Sequence, residues 1–258
     1  MPCIPMRHLR TLRPMSGSTL AVWVSKGGTS KTVVATNLAA LLAQRGRVLV
    51  VDLDAQASAS LALGVSPANG LLDALRGEVS LAELVEPAFD FLDVVPGGPE
   101  LARAERLLAA ETGAETLLRT ALKSVQYSTV IIDCPPGVST LSVGALVAAT
   151  IHLAPVVPDP LSVAGLADAL ELADAVRSRL NPKLHPSRVL LSRVPRTRAA
   201  RLTSEGLREK LKARVLATEI PERAAVVESV ALRIPVVHFA PKSPVALAFE
   251  ALAEEVFP

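Results

Sequence analysis

The sequence predicts an α/β protein built on a doubly wound, mostly parallel sheet with helices on both faces. Short apolar runs rich in β-branched residues alternate along the chain with longer stretches of helical periodicity. Half of the 258 residues are apolar and only 3% are aromatic, so alanine, leucine and valine form the core, as is common beneath helices that cover a parallel sheet. The predicted strands are 20–24, 48–51, 91–95, 129–132, 151–156, 189–192 and 215–217, and the predicted helices include 32–45, 100–110, 115–124, 161–180, 203–211 and 245–256.

We expect residues 19–258 to form a single domain, because α/β folds of this length are often one unit. The segment 1–18 carries three arginines but lacks the apolar h-region of a signal peptide. It is a disordered basic tail, an arm that contacts a partner, or an extension upstream of a true start at Met15. Of these three, we expect a disordered tail.

Neither a disulfide framework nor a membrane span is predicted. The only two cysteines, Cys3 and Cys134, also lack metal-ligand spacing, which favours a reducing cytoplasm. The longest apolar stretch, 143–157, is interrupted by His152 and Pro155 and is shorter than the roughly 20 residues that a membrane helix needs. It is better explained as a helix end followed by a buried strand. Cys134, His152 and His238 are interpreted as packed core residues.

A glycine-rich segment lies between the first predicted strand and the first predicted helix, where residues 24–34 read VSKGGTSKTVV. Backbone N–H groups of such a turn, together with the positive end of the following helix, bind phosphates, and Lys31 adds a charge at the outer phosphates. Lys26 is a second lysine, and one nucleotide rarely needs both. The alternative is a surface turn with solvated lysines. The predicted nucleotide-binding residues here are Lys26, Gly27, Gly28, Thr29, Ser30, Lys31, Thr32 and Val33.

Two further polar segments, 52–56 and 133–137, also follow predicted strands. Ligands of open α/β sheets bind outside the carboxyl ends of the strands, so these segments should converge with the glycine-rich segment on one site. The alternative for Asp52 and Asp54 is that they are loop residues that cap the next helix. Asp52 has the weaker claim to a chemical role.

Four segments in order resemble the ParA/MinD family of ATPases. Residues 26–32 resemble its deviant Walker A box, K-G-G-x-x-K-[ST], and Ser30 stands where glycine is usual in phosphate loops. Residues 47–56, RVLVVDLDAQ, resemble its D-x-D-P-Q segment, with Ala55 in place of the proline. Residues 130–137, VIIDCPPG, resemble its switch II loop, and residues 155–165, PVVPDPLSVAG, resemble its next strand-to-helix passage. The resemblance extends from Leu20 to the C-terminus.

The resemblance implies a weak ATP hydrolase, stimulated by a partner, that uses ATP and Mg²⁺. Thr32 would contact Mg²⁺ directly and Asp133 would hold it through water. The implied catalytic residues are Lys31, Asp54 and Lys26. Asp54 would orient or activate the attacking water, and Lys26 would cross a homodimer interface to the other subunit's phosphates and make the dimer ATP-dependent. The resemblance places the adenine near loops that contain Ser192, Arg193 and Pro221.

Charge is distributed unevenly along the chain. Residues 1–176 hold 12 Lys and Arg against 17 Asp and Glu, whereas residues 177–258 hold 15 against 8. Arginines clustered in loops are an electrostatic footprint for a polyanion, although a solvated basic face is the alternative. Because partitioning members of the family hold double-stranded DNA non-specifically through such loops, the predicted DNA-binding residues are Arg196, Arg198, Arg201, Arg223 and Lys242.

The expected function is therefore DNA partitioning in the cytoplasm, on the nucleoid, with a ParB-like centromere-binding partner. A MinD-like protein should end in a basic amphipathic helix that binds membranes, but residues 246–258 contain three glutamates and no lysine or arginine. An iron–sulfur carrier would need cysteine pairs, and an anion pump would usually join two such domains. A cargo-positioning ATPase of the same superfamily and a nucleotide-binding switch with little hydrolysis stay open, because Ser30 and Ala55 depart from the usual pattern.

Overall fold

The structure, a computed structural model, describes residues 17–258. Most of the expected disordered tail therefore lies outside the described residues, and Ser18 already begins the first strand. The described chain forms an eight-stranded sheet in the order β3-β4-β2-β5-β1-β6-β7-β8. Neighbouring strands are parallel except for β3 and β4. The strands are β1 Ser18–Val22, β2 Val48–Asp52, β3 Glu86–Phe89, β4 Leu92–Val95, β5 Thr129–Asp133, β6 Ile151–Val156, β7 Arg188–Val194 and β8 Val215–Pro221.

Eleven α-helices accompany these strands within residues 17–258. They are α1 Lys31–Leu42, α2 Ser58–Ala62, α3 Leu71–Arg76, α4 Leu101–Leu108, α5 Leu117–Ala121, α6 Thr140–Ala148, α7 Pro160–Arg179, α8 Arg198–Leu211, α9 Ala224–Ala231, α10 Val236–Phe239 and α11 Pro244–Val256. None of these helices is long and apolar enough to span a bilayer.

Alternate residues of the buried strands point into two separate cores, as the twofold repeat of a strand requires. Leu20 and Val22 join a core shared with α1, α10 and α11. Ala21 and Trp23 join a core on the other face, with helices α3 to α7. The remaining face of β6 and β7 packs against α7 and α8. The structure thus confirms the predicted doubly wound sheet with helices on both faces.

The structure departs from the sequence prediction at several element ends. The first strand covers Ser18–Val22 rather than 20–24. Strand β3 was not predicted; it contains Pro87 and lies at the edge of the sheet, where a missing N–H is tolerated. Helix α8 begins at Arg198 rather than 203, because the Thr197 side chain caps it by accepting from the Ala200 N–H.

The segment predicted as helix 115–124 contains only a short α-helix. Helix α5 covers Leu117–Ala121 and is flanked by 3₁₀ turns at Ala114–Thr116 and Leu122–Ser124. Only Leu118 of α5 is fully buried, so little packing stabilises a longer α-helix here. Tertiary packing supplies most helical stability in proteins.

The outer edge of β8 is covered by side chains. The Glu255 carboxylate of α11 accepts from the backbone N–H groups of Ala217 at 2.6 Å and Thr218 at 2.9 Å. Arg208 of α8 donates to the Leu216 carbonyl at 2.8 Å. These contacts occupy backbone groups that would otherwise invite pairing with another chain, and they fix α11 against the sheet.

Candidate functional site

The carboxyl ends of β1, β2 and β5 lie level with one another and define the site. In the sheet register, Val22 is opposite Asp133 and Asp133 is opposite Asp52. The loop between β1 and α1, here called the glycine loop (residues 25–30), leaves the sheet at the same edge. The convergence predicted for the three polar segments is therefore present in the structure.

The glycine loop ends in a left-handed turn. Gly28 has φ +74° and Ser30, directly before α1, has φ +72°. This conformation explains why glycine is usual at the position of Ser30, since a side chain there costs about 1–2 kcal/mol. The turn directs the chain into α1, whose first residue is Lys31.

Lys31 is largely buried, and its Nζ donates to the Lys26 carbonyl oxygen at 3.1 Å, across the glycine loop. Burial lowers the pKa of Lys31, and the carboxylate of Asp133 opposes that effect. A partly desolvated ammonium beside a glycine turn that leads into the N-terminus of a helix suits an anion of high charge.

Thr32 and Asp133 form the cation-binding side of the site. Thr32 Oγ1 donates to Asp133 Oδ2 at 2.7 Å. Asp133 Oδ1 is buried and has no hydrogen-bond partner among the described residues. Burial, and then the neighbouring charge of Asp52, raise the pKa of Asp133 well above its usual range. A hydroxyl next to a buried, unpaired carboxylate oxygen fits a hydrated Mg²⁺, because hard cations prefer oxygen ligands and Mg²⁺ retains water.

Asp52 is fully buried and fixes the loop that follows β2. Its Oδ2 accepts from Ser60 N at 2.8 Å and from Ser60 Oγ at 2.7 Å, and its Oδ1 accepts from Asp54 N at 3.1 Å. Asp52 therefore binds a backbone N–H in the first turns of α2, as the capping interpretation predicted. Burial raises the pKa of Asp52.

Asp54 is only half-buried. Its Oδ1 accepts from Gln56 N at 2.9 Å, which forms a local turn. The charge of Asp54 raises the pKa of both Lys31 and Asp133. Its carboxylate is therefore close enough to interact with both side chains. The two acids therefore have different environments. Asp52 is buried and accepts three hydrogen bonds from the protein, whereas Asp54 is partly exposed.

The glycine pair after β4 was not predicted as part of the site. Gly97 N donates to Ser60 Oγ at 3.1 Å. A Cβ at Gly97 would lie 2.6 Å from the carbonyl oxygen of Asp54 and 2.9 Å from that of Asp52. Gly97 therefore lets the Asp54 loop approach closely. The available signal was the sequence Pro-Gly-Gly-Pro at 96–99, directly after predicted strand 91–95.

Lys26 contacts the start of α7 in its own protomer. Its Nζ donates to Ser162 Oγ at 3.1 Å and lies 3.6 Å from Asp159 Oδ1. Next to it, Ser25 Oγ donates to the Gly165 carbonyl at 3.0 Å. The glycine loop is thus joined to the passage 155–165, and Lys26 remains about one-third exposed.

Ser192 and Arg193 bind the glycine loop from β7. Ser192 is buried and donates to the Thr29 carbonyl at 2.9 Å. Arg193 Nη1 donates to the Gly28 carbonyl at 3.3 Å, and its Nη2 pairs with Glu222 Oε1 at 3.0 Å. Pro221, at the end of β8, directly precedes Glu222. The structure therefore brings the residues predicted near the adenine to the rim of the site.

Four of the five predicted DNA-binding residues line one surface. Arg196 is shared by two adjoining cavities of about 660 Å³ and 320 Å³; Arg198 and Arg201 line the larger, and Arg223 the smaller. Lys242 is exposed in the turn between α10 and α11 and is not among the residues that line these cavities.

His152 is a buried core residue, as interpreted from the sequence, whereas His238 is only partly buried. His152 is fully buried, with Nε2 at 3.0 Å from the Trp23 carbonyl and Nδ1 at 2.9 Å from Ser187 Oγ. Burial lowers the pKa of His152 to about 4, so the ring is neutral. His238 packs edge-on against Phe89, and Cys134 is buried next to Asp133.

Comparisons with known proteins agree with this geometry. A family described as "AAA domain" matches residues 17–186. The chromosome-partitioning ATPase Soj of Thermus thermophilus is 38% identical over 92% of this chain and 94% of its own length. The solved structure of the Pyrococcus furiosus cell division ATPase MinD is 30% identical, with a TM-score of 0.76 over 93% of this chain and 98% of its own. Cobyrinic acid a,c-diamide synthase from Mycobacterium smegmatis, solved with an ATP analogue and magnesium, is 29% identical, with a TM-score of 0.78 over 92% and 93% of the two chains. The chain belongs to the ParA/Soj family of P-loop ATPases.

Proposed function

We propose that this protein is a DNA-partitioning ATPase that binds ATP and Mg²⁺, dimerises on ATP and binds DNA without sequence preference. ATP hydrolysis is slow until a ParB-like centromere-binding protein stimulates it. The observation that carries the proposal is the arrangement of Lys31, Thr32 and Asp133 at the start of α1, in a chain 38% identical to a chromosome-partitioning ATPase. The protein would act in the cytoplasm, on the nucleoid.

In this mechanism the protein positions groups rather than forming covalent bonds. The glycine loop N–H groups and Lys31 bind the phosphates, and Ser192 and Arg193 hold the loop from β7. Thr32 and Asp133 would hold Mg²⁺, which supplies charge neutralisation when bound. Asp54, the accessible acid, orients the attacking water. Asp52 keeps the Asp54 backbone in place.

Lys26 serves the nucleotide of the second subunit. Lys31 already occupies the glycine loop of its own subunit, whereas Lys26 is held at α7 by Ser162 and Asp159. An added cation at the phosphates stabilises transition-state charge in the way that an arginine finger does. ATP would thus link dimer formation to completion of the site.

We expect Lys26→Ala to retain ATP binding by the monomer but to lose the ATP-dependent dimer. The glycine loop keeps Lys31, so only the contact in trans disappears. Light scattering with a non-hydrolysable ATP analogue measures the mass, and Lys123→Ala, which removes an exposed lysine away from the site, is the matched control. A Lys26→Ala protein that dimerises like the control would contradict the role in trans.

DNA binding is proposed for the arginine surface formed by Arg196, Arg198, Arg201 and Arg223, with Lys242 as a further contact. The first four line adjoining cavities on one side of the molecule. Arginines that contact phosphates position a protein on DNA but carry no sequence information. The binding should therefore be non-specific.

We expect duplex DNA affinity to fall by at least roughly 100-fold between about 50 and 200 mM salt, as the phosphate contacts of the four arginines alone predict. The double variant Arg196→Ala with Arg223→Ala should bind more weakly to all sequences, and its salt slope should be smaller by about two. Fluorescence anisotropy measures both quantities. The control, Arg103→Ala with Arg106→Ala, removes the same charge from exposed positions on α4. Equal DNA affinity of both double variants would show that the arginine surface is only a solubility feature.

A further inference from the structure

Helix α9 and the turn that follows it expose four large apolar side chains. Val227 is 73% exposed, Val230 46%, Leu232 57% and Ile234 36%. These four residues are here called the α9 patch. Val227 and Val230 lie one turn apart on the same helix face, and Ile234 N donates to the Ser229 carbonyl at 3.0 Å, which folds the chain back against the helix end. Contiguous exposed apolar surface commonly marks a protein interface.

The residues just before α9 are connected to the nucleotide site. Arg193 joins the Gly28 carbonyl of the glycine loop to the Glu222 carboxylate. Glu222 N in turn donates to the Val194 carbonyl at 3.2 Å, and α9 begins two residues later, at Ala224. Helix α9 therefore begins just after the carboxyl end of β8, on the side of the sheet where the glycine loop leaves β1.

The charges around the patch fit a copy of the same surface. Glu228 and Arg233 are both exposed beside the apolar residues. In a twofold-symmetric interface the same surface is used by both subunits, so a patch that carries one charge of each sign can complement itself. An apolar centre with a charged rim is also the usual anatomy of a protein interface.

We infer that the α9 patch is covered by a second copy of this chain when ATP is bound. The inference rests on the proposed ATP-dependent dimer and identifies a part of its interface. The dimer that brings Lys26 to the phosphates of the second subunit brings the carboxyl edges of two sheets together, and α9 begins at that edge, about one turn before Val227. Nucleotide binding and burial of apolar surface would then stabilise the same dimer.

Val227→Asp tests the inference, because a charge at a largely exposed position should leave the monomer folded and oppose burial in an interface. We expect ATP-dependent dimerisation of Val227→Asp to require at least about tenfold more protein than that of the natural chain, since an unpaired charge in an apolar contact is strongly disfavoured. ATP binding by the monomer should be unchanged. The control is Phe91→Asp. Phe91 is 66% exposed and directly precedes β4, next to the edge strand β3 and on the far side of the sheet from β8. Sedimentation velocity with a non-hydrolysable analogue gives the dimerisation constants, and a Val227→Asp protein that dimerises like the control overturns the inference.

A labelling experiment separates this inference from the proposed function. In a Cys3→Ser background, Val227→Cys supplies the reactive thiol, because Cys134 is buried. We expect maleimide labelling to slow when the analogue is added, and to stay fast when Lys26→Ala is also present. If the natural chain dimerises but labelling stays fast, the patch inference fails and the proposed function stands. If the natural chain remains a monomer with the analogue, the ATP-dependent dimer of the proposed function fails and this inference fails with it. Slowing that persists in a Lys26→Ala protein that light scattering shows to be a monomer would mean that the patch is covered within one chain, and it would also overturn the inference.

Discussion

Asp54→Asn is expected to lower ATP turnover by at least about 100-fold, the usual contribution of a residue that handles the proton of an attacking water. The amide keeps an oxygen that can accept from Gln56 N, the contact made by Asp54 Oδ1. The loop should therefore retain its shape, and both ATP affinity and thermal stability should stay near the values of the natural chain. Single-turnover hydrolysis, measured together with equilibrium ATP binding, separates loss of chemistry from loss of affinity.

Asp52 provides the contrast that makes this prediction specific. Asp52→Ala removes the acceptor for Ser60 N, Ser60 Oγ and Asp54 N, and each buried donor left without a partner costs about 1–3 kcal/mol. We expect Asp52→Ala to lower the free energy of unfolding, measured by urea denaturation, whereas Asp54→Asn should leave it unchanged. If Asp54→Asn turns over ATP at the natural rate, Asp54 does not orient the attacking water.

The sequence predicts that the glycine loop and Asp133 belong to one site, because each lies at the end of a predicted strand. A strand that ends in a polar segment indicates which edge of the sheet carries that segment, whatever the order of the strands. Lys31, Thr32 and Asp133 could therefore be assigned to one site, and the structure brings the three together.

Contacts between loops depend on which strands are neighbours in the sheet. The hydrophobic periodicity of the sequence predicts the strands but not their order. Gly97 reaches Asp54 because β4 lies next to β2. Lys26 reaches Ser162 because β6 lies next to β1. The exposure of the α9 patch cannot be predicted from the sequence for a different reason. An apolar stretch such as 224–234 resembles a core helix, and only its packing in the fold shows which side chains are exposed.

Gly97→Ala is expected both to destabilise the protein and to reduce turnover. The new Cβ would lie 2.6 Å from the Asp54 carbonyl and 2.9 Å from the Asp52 carbonyl, which are backbone atoms that cannot rotate away. Forcing an extra carbon into a packed region typically costs about 1–3 kcal/mol. The change should also move the Asp54 loop, and a displacement of about 1 Å at a reacting group can cost roughly 100-fold in rate.

Gly206→Ala is the matched control, because it makes the same substitution in α8 with no atom within 4 Å of the new Cβ. Alanine is a better helix former than glycine by about 1 kcal/mol, so this variant should be slightly more stable than the natural chain and equally active. Urea denaturation and ATP turnover would be measured on both variants. If Gly97→Ala loses stability but keeps full turnover, the close approach at Gly97 serves only the fold, and the position of Asp54 is set by Asp52 and Ser60 without it.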